Sequence, residues 1–521
     1  MARWRIRLLF VSTSEVAIAV AIVFLILPAG YRTPAFHGVL VGLVYLGALP
    51  VIASLMQYVL AGVHYFRIPY ARLDPYYPNT AIIVPAWNEA AVIGTTIDYL
   101  LAMEYPAERV RVLVVDDAST DATPDVVRAK EAENPGRVVY LRRERGGQGK
   151  AHTLNHGIVH ALADDWAEAV LVIDADVLFE KNALRRMTRH LSDPSVGAVT
   201  AYIKEGSRPD NAIARFIAFE YVTAQAVGRR AQNILGALAC LAGGAQLHSR
   251  ESLEAIGGRI DTSTLAEDTV TTFETQLGGR RVEFDGNAVV WAEEPADLNS
   301  LWKQRLRWSR GNVQVSLQYA SMWGKQRPRF GRLGRWPFKL VWYSSLLMPL
   351  LLTSASASLV SLYAMHATSA WPAFRFLWIW HAIAYVFGTA LALAIDTQTA
   401  RRSWFEAIMF PGIVSLAIIA YSVVPGSHEP TLPSWLILGM YSWLFLSVPL
   451  AYLAKALSRF PSLRWIAAPM IYVTGYGSFL CAVTAASYVA ELRNATAAWD
   501  KTKKIGRVKL GASGSTVSPR T

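Results

Sequence analysis

The chain has few cysteines and few charged residues for its length. Only Cys240 and Cys481 occur in 521 residues, and both lie in apolar segments. This excludes a disulfide framework and a thiolate metal site. Charged residues make up 17% of the chain and hydrophobic residues 53%, a balance unusual for a soluble enzyme of this size. A basic stripe interleaved with aromatic residues is also lacking, which argues against nucleic acid as a partner.

The apolar residues gather towards the two ends of the chain. Residues 8–29 and 38–64 are long enough to span a bilayer. Five further candidate spans follow at 338–366, 374–395, 404–424, 433–454 and 465–490. Because MARWRIR precedes the first span without a small-residue cleavage site, we interpret that span as a signal anchor.

The positive charge of the chain, +12 in total, predicts the topology of these spans. Arg and Lys residues cluster beside the spans, and the positive-inside rule places the N-terminus and the segment from His64 onward in the cytosol. Seven spans would leave the basic tail at 499–509 outside, against its charge. We therefore expect one candidate to be interfacial or re-entrant, and 404–424, which contains Pro411-Gly412, is the first choice.

Residues 80–335 alternate between strand and helix patterns. Apolar runs predict strands at 80–87, 110–118, 137–143 and 169–176, with helices at 88–104, 121–133, 150–163 and from Lys181. This alternation predicts a doubly wound, mostly parallel sheet with ligands at the carboxyl ends of its strands.

Carboxylates follow two of these predicted strands. Asp174 and Asp176 point the same way from a strand end. Together with a substrate diphosphate they would suit a hard cation, Mg²⁺ or Mn²⁺. Asp116 and Asp117 end an earlier strand. Two adjacent carboxylates are costly without a partner, and we predict that Asp117 contacts the base or ribose of a nucleotide.

Two further segments favour a nucleotide site. In VPAWNE, Pro85 ends a strand, Asn88 is the predicted N-cap of the next helix, and Glu89 is either a helix-dipole partner or a nucleotide contact. In GGQGKAHTLNHG, Lys150 stands where a glycine-rich loop enters a helix. Helix amides and a lysine suit a diphosphate, although the spacing is not that of a Walker motif.

The later motifs suit catalysis and sugar binding. Glu267 and Asp268 begin a predicted helix, either as dipole partners or with a general base among them. In LWKQRLRW, Arg307 can hold phosphate oxygens, Trp308 can stack on a sugar, and Gln304 can bind hydroxyls. The alternative is an amphipathic interfacial helix, as also predicted for 211–232.

Together these motifs resemble the membrane-embedded processive β-glycosyltransferases of inverting family 2. That group includes the cellulose, chitin, hyaluronan and poly-N-acetylglucosamine synthases. Their signature is matched in order over about residues 80–325, by Asp117, Asp174 with Asp176, Glu267-Asp268, and Gln304 with Arg307 and Trp308. Ala266 replaces the usual threonine before Glu-Asp, and 233–250 matches the acceptor-side pattern only loosely.

The resemblance implies a fold and a set of roles. It implies a cytosolic α/β domain of GT-A type (Rossmann-like) inserted between α-helical transmembrane segments. Asp268 would be the general base, with Glu267 beside it, and Asp174 and Asp176 would hold Mg²⁺ or Mn²⁺. A UDP-sugar would be bound by Pro85, Glu89, Asp117, Lys150, Asp174 and Arg307, and the acceptor by Gln304 and Trp308.

The domain boundaries follow from the motifs and spans together. We expect two N-terminal transmembrane helices in 1–70, the glycosyltransferase domain in 71–300 and an interfacial region in 301–335. A C-terminal transmembrane bundle would occupy 336–492 and a polar basic tail 493–521.

The expected function is inverting, processive transfer from a UDP-sugar to a growing β-linked polysaccharide, with export across the plasma (inner) membrane. The partners are then the donor, the polymer and the bilayer, while accessory export proteins are not identified. The main alternative adds one sugar to a lipid, and a third is a transporter or inactive assembly factor. Several aromatic and polar residues of the C-terminal spans could line a channel for sugars or form an aromatic belt at the bilayer interface. They are Trp342, Tyr343, Ser344, Trp378, Trp380, His381, Tyr441 and Trp443.

Overall fold

The computed structural model describes residues 34–67, 70, 73–207, 211–324, 330–424, 432–495 and 504–508. The span predicted at 8–29 and the last dozen residues of the chain lie outside these ranges, as does most of the loop at 425–434.

An eight-stranded mixed sheet forms the centre of the α/β domain. Its strand order is β3-β2-β1-β4-β7-β6-β8-β5. The strands are β1 Thr80–Ala86, β2 Val110–Asp116, β3 Val138–Arg142, β4 Ala169–Val172, β5 Leu178–Phe179, β6 Val196–Glu205, β7 Gln246–Ser249 and β8 Arg281–Ala292. Strands β1 to β4 are parallel, as predicted, and β6 is parallel to β8, whereas β7 is antiparallel to both β4 and β6, and β5 is antiparallel to β8. The sheet is therefore mixed, and β7 and β5 depart from the mostly parallel arrangement that we expected.

Helices flank the sheet and precede it. Those before and within the domain are α1 Pro34–Leu46, α2 Leu49–Arg67, α3 Ile93–Leu101, α4 Thr123–Glu133, α5 Lys150–Ala161, α6 Ala183–Thr188, α7 Ala212–Tyr221, α8 Gly228–Leu235, α9 Arg250–Ala255, α10 Glu267–Leu277, α11 Leu298–Gln318 and α12 Ala320–Trp323. A π-helical turn, Val222–Val227, joins α7 to α8. Short 3₁₀ turns lie at Ala107–Arg109, Arg189–Ser192 and Pro461–Leu463.

The central strand β1 is apolar on both faces because helices cover both sides of the sheet. Every residue of β1 is buried. Ile82 packs in the cluster that includes α3, whereas Ile83 packs in the cluster that includes α5. Helix α5 approaches closely because Gly157 has no side chain. A Cβ there would lie 2.6 Å from Ile83 Cγ2 and 2.9 Å from Val115 Cγ2.

The C-terminal block is helical. It contains α13 Trp336–Leu346, α14 Met348–Ala364, α15 Ala370–Ile395, α16 Thr397–Ile408, α17 Ile413–Val423, α18 Ser434–Leu457, α19 Arg464–Thr474 and α20 Tyr476–Leu492. Within the described ranges, three helical segments are long and apolar enough to cross a membrane: Pro34–Arg67, Ala370–Ile395 and Ser434–Leu457. The number rises to 6 if three bent pairs, at 336–364, 397–423 and 461–492, each count as one span.

The candidate at 404–424 is broken where the sequence suggested. Helices α16 and α17 meet at an angle of 77°. The break packs against the break between α19 and α20. A Cβ on Gly412 would lie 2.4 Å from the backbone nitrogen of Gly475, and both glycines have left-handed backbones with φ of 84° and 91°. Only glycine combines that conformation with so close an approach.

The tail lies on the α/β domain. The carboxylate of Glu293 in the domain accepts hydrogen bonds from residues 505–507. Residues 504–508 therefore lie against the domain.

We predict that Gly157→Ala destabilises the protein. The added methyl group would overlap Ile83 and Val115, and overpacking of this kind costs about 1–3 kcal/mol. The melting temperature of the detergent-solubilised protein should fall. Val159→Ala on the same helix is the matched control, because Val159 is 69% exposed. Equal melting temperatures for the two variants would contradict this account of the packing.

Candidate active site

One cavity of about 440 Å³ opens where β1, β2 and β4 end. All eleven residues predicted from the sequence line it: Pro85, Glu89, Asp117, Lys150, Asp174, Asp176, Glu267, Asp268, Gln304, Arg307 and Trp308. They come from segments that are distant in the sequence, and the fold brings them together.

The adjacent carboxylates at the end of β2 have arginine partners on β3 and just beyond it. The parallel register places Asp116 opposite Arg142, and Arg142 Nη1 lies 2.6 Å from Asp116 Oδ2. Asp117 pairs with Arg143 and accepts a 2.9 Å hydrogen bond from the amide of Gly147. Both aspartates are buried. Each of the two buried carboxylates is thus paired with its own arginine. No sequence pattern indicated these arginine partners.

The predicted N-cap role of Asn88 is wrong. Helix α3 begins at Ile93, and Asn88 has a left-handed backbone with φ of 54°. Its Oδ1 atom accepts hydrogen bonds from the amides of Thr120 (2.9 Å) and Asp121 (3.3 Å). Asn88 therefore joins the loops that follow β1 and β2. The adjacent Trp87 lines the cavity, a position that the sequence analysis missed.

Asp174 and Asp176 lie in a turn just beyond β4, which ends at Val172. Lys150 Nζ is 2.5 Å from Asp174 Oδ1, and Lys504 Nζ is 2.7 Å from Asp176 Oδ2. Each carboxylate of the pair is thus neutralised by its own lysine.

The two carboxylates fit a hard divalent cation. In the part of the chain that the structure describes, no group of three or more His, Cys, Asp or Glu side chains could hold a metal by itself. Mg²⁺ in nucleotide-using enzymes, however, commonly takes one or two carboxylates from the protein and its remaining ligands from substrate phosphates and water. Asp174 and Asp176 would supply the one or two carboxylates that the protein provides.

Lys504 reaches the cavity because the tail is fixed to Glu293. The Glu293 carboxylate, 1% exposed, accepts hydrogen bonds from the amides of Gly506 (2.9 Å) and Arg507 (3.0 Å), and from Arg507 Nε (3.1 Å). Val508 packs against Gly206, where an added Cβ would lie 2.9 Å from Val508 Cγ1. The charge of these basic residues predicts membrane topology alone, and no sequence pattern indicates that Lys504 lines the cavity.

Lys150 links the two acidic motifs. Besides Asp174, its ammonium group contacts the carbonyl oxygen of Gly243 (3.1 Å) and lies 3.9 Å from Glu267 Oε1. Burial raises the pKa of Glu267, and attraction to Lys150 opposes that rise. Asp268 follows at the start of α10, where its Oδ1 accepts a hydrogen bond of 2.8 Å from the Thr269 amide.

Helix α11 carries the residues of the QRLRW motif. Gln304 Nε2 donates to Glu294 (3.0 Å), and Gln304 Oε1 accepts from Arg305. Arg305 pairs with Glu220 at 2.7 Å and lies over the Trp308 ring at 4.2 Å. The Gln304 amide is therefore engaged with protein, whereas Trp308, 38% exposed, faces the cavity.

Helix α11 passes close to the start of α10 because Gly311 has no side chain. A Cβ on Gly311 of α11 would lie only 2.6 Å from Ala266 Cβ. This glycine lets the two helices, which carry Asp268 and Trp308, approach each other.

Comparison with known proteins indicates the class of enzyme. Residues 78–311 match the family model described as "Glycosyltransferase like family 2". These residues form a glycosyltransferase family 2 domain, and the protein is a glycosyltransferase. The domain has a GT-A-like α/β fold with a mixed sheet. The third alternative from the sequence, a transporter or inactive assembly factor, is not supported.

Three curated relatives match different shares of the chain. The probable glycosyltransferase YdaM of Bacillus subtilis is 27% identical over 71% of this chain and 83% of its own length. The β-monoglucosyldiacylglycerol synthase of Synechocystis is 31% identical, over 54% of this chain and 56% of its own. The poly-β-1,6-N-acetyl-D-glucosamine synthase of Staphylococcus aureus is 28% identical, over 48% and 58%. The chain thus spans little more than half of the latter two relatives.

Among solved structures, the mannosyltransferase PcManGT of Pyrobaculum calidifontis, in complex with GDP-Man and Mn²⁺, matches 72% of this chain and 98% of its own. Its sequence is 25% identical and the TM-score is 0.47.

We predict that Lys504→Met strengthens the binding of Mn²⁺ in the absence of nucleotide. The change removes a positive charge next to Asp176, and relief of that repulsion should raise the affinity about tenfold. Electron paramagnetic resonance of free Mn²⁺ measures this directly. Lys181→Met, at an exposed lysine outside the cavity, should leave the affinity unchanged. A weaker or equal affinity for Lys504→Met would contradict the assignment of Asp176 to the cation.

Proposed function

We propose that the protein transfers a sugar, with inversion, from a UDP-sugar to the growing end of a β-linked polysaccharide and exports that polymer across the plasma membrane. The observation that carries this proposal is the cavity in which the donor-side carboxylates, the Glu267-Asp268 pair and Trp308 meet. The spans packed on the same domain give the product a path to the membrane.

The proposed reaction is one displacement. The Asp268 carboxylate takes the proton of an acceptor hydroxyl, whose oxygen attacks the anomeric carbon of the donor. The bond from that carbon to the β-phosphate oxygen breaks, and UDP leaves with the electron pair. General base catalysis of this kind contributes about 10²–10⁴-fold to the rate.

Three cationic side chains line the cavity for the leaving diphosphate: Lys150, Arg307 and Lys504. Lys150 and Lys504 neutralise Asp174 and Asp176. They lie within reach of a diphosphate bound at those carboxylates. A divalent cation held by Asp174 and Asp176 would add Lewis-acid stabilisation of the leaving group. The end of the cavity proposed for the nucleoside is formed by Pro85, Trp87, Glu89 and Asp117.

A second candidate is transfer of one sugar to a lipid. One relative is a β-monoglucosyldiacylglycerol synthase. In addition, several aromatic side chains that could have lined a sugar channel pack against other side chains. Trp378 and Tyr441 are each 1% exposed in one cluster with Phe374. Trp443 donates from Nε1 to Ser415 Oγ at 3.0 Å. Those residues do not favour the polymer over the lipid.

The test separates the two products. The purified protein in proteoliposomes is incubated with radiolabelled UDP-sugars and Mg²⁺ or Mn²⁺, and the product is sized and extracted with solvent. Immobile material that glycosidases degrade supports the polymer, whereas a small extractable product supports the lipid acceptor. Absence of any transfer from the whole UDP-sugar panel would overturn the proposed donor.

Asp268→Asn should lower transfer by about a hundredfold or more, because the acceptor hydroxyl loses its base. The same assay measures it, with UDP binding followed in parallel to show that the donor site is intact. Asp125→Asn is the matched control, since the Asp125 side chain is 84% exposed on α4. Transfer by Asp268→Asn at the level of this control would rule out Asp268 as the base.

A further inference from the structure

Beyond the predicted site residues, one helical face contributes to the cavity. The π-helical turn Val222–Val227 interrupts the helix from 212 to 235. A π turn inserts an extra residue, and turns of this kind are frequent at functional sites. Gln225, Arg229 and Gln232, spaced by four and three residues, then fall on one face, and all three line the cavity.

The two glutamines of this face are engaged with the domain. Gln225 Oε1 accepts from the amide of Ile203 (3.2 Å), and Gln232 Oε1 accepts from the amide of Ala239 (2.9 Å). These bonds fix the face against β6 and against the loop before β7. The helix is thus a rigid wall of the cavity.

Arg229 lines the cavity and has more donors than the domain engages. Its Nη1 atom contacts Gln225 Oε1 (3.2 Å) and the carbonyl oxygen of Ala201 (3.5 Å). Among the residues that the structure describes, Nε and Nη2 of Arg229 donate to no acceptor. The neighbouring Arg230 differs, because it is buried and donates to the carbonyl oxygen of Ala226 at 2.6 Å.

The charges around Arg229 indicate what it binds. Burial lowers the pKa of Arg229, while attraction to the Cys240 thiolate form and to Asp268 opposes that shift. Arg229 and Asp268 together are neutral, so an anionic ligand would gain little there and would meet the charge of Asp268. A neutral ligand with several hydroxyl groups fits the pair better.

We propose that Arg229 is an acceptor-binding residue. Its Nε and Nη2 groups donate to an oxygen of a neutral, hydroxyl-bearing acceptor, next to the hydroxyl that Asp268 deprotonates. This inference rests on the proposed function and names an acceptor contact that none of the sequence motifs contains. It also assigns a role to the π-helical turn, which sets the register at which Arg229 enters the cavity.

The test compares Arg229→Gln with Arg307→Gln. Cellotetraose, chitotetraose and dioleoylglycerol are offered as acceptors with radiolabelled UDP-sugar, and the acceptor that the wild-type protein uses is then varied in concentration. For Arg229→Gln we expect the acceptor KM to rise about tenfold or more, the loss typical of a hydrogen bond from a charged group. UDP binding and the donor KM should stay within about twofold. Arg307→Gln should show the opposite pattern, with weakened UDP binding.

Two further variants complete the design. Arg229→Lys, which keeps the charge but not the fork of donors, should restore part of the acceptor affinity. Arg185→Gln is the control, because Arg185 is 43% exposed and pairs with Glu104 outside the cavity. An acceptor KM for Arg229→Gln within twofold of wild type, or a donor KM that rises equally, overturns the inference. A wild-type protein that neither binds UDP nor transfers sugar overturns the proposed function instead.

Discussion

Negative charge crowded in and beside one cavity is the constraint on which the rest of the structure depends. Carboxylates held this close together need cationic partners, and here the partners come from several elements. Asp116 and Asp117 form ion pairs with arginines at the end of β3, and Asp174 pairs with Lys150 of α5. Asp176 pairs with Lys504 of the tail. The ion pairs therefore tie β2, β3, the turn after β4, α5 and the chain's C-terminal segment to a single site.

The same kind of contact joins the α/β domain to the helical block. Lys204 at the end of β6 pairs with Asp396 at 2.9 Å, and Arg215 of α7 pairs with Glu406 at 2.8 Å. Arg310 of α11 pairs with Glu491 of α20 at 2.6 Å. These pairs are largely buried, so breaking one would leave an uncompensated charge. The ion pairs thus fix the domain against the helices.

Local patterns predicted the first half of the sheet and the site residues that line the cavity, because strand ends, glycine-rich loops and acidic pairs are encoded by neighbouring residues. They could not predict contacts that depend on distant segments. Lys504 looks like any basic residue of a tail until Glu293 binds the amides beside it. Arg229 enters the cavity through a π-helical turn, which no residue pattern marks. Asn88 resembles an N-cap in the sequence, yet its side-chain oxygen accepts a hydrogen bond from the amide of Thr120 in the loop after β2.

Two helices form the end of the cavity that we propose for the acceptor. The helix of Arg229 packs on α2, where Asn233 and His64 are 3.2 Å apart and Gly228 lies against Gln57. The helix of Trp308 packs along α20, where Ser309 and Ser487 are 3.0 Å apart. The donor side lies instead at the strand ends of the domain. In the proposed reaction the nucleotide would therefore bind on the domain side, and the acceptor would approach Asp268 from the side of the helical block. The proposed polysaccharide and lipid acceptors would both use this arrangement.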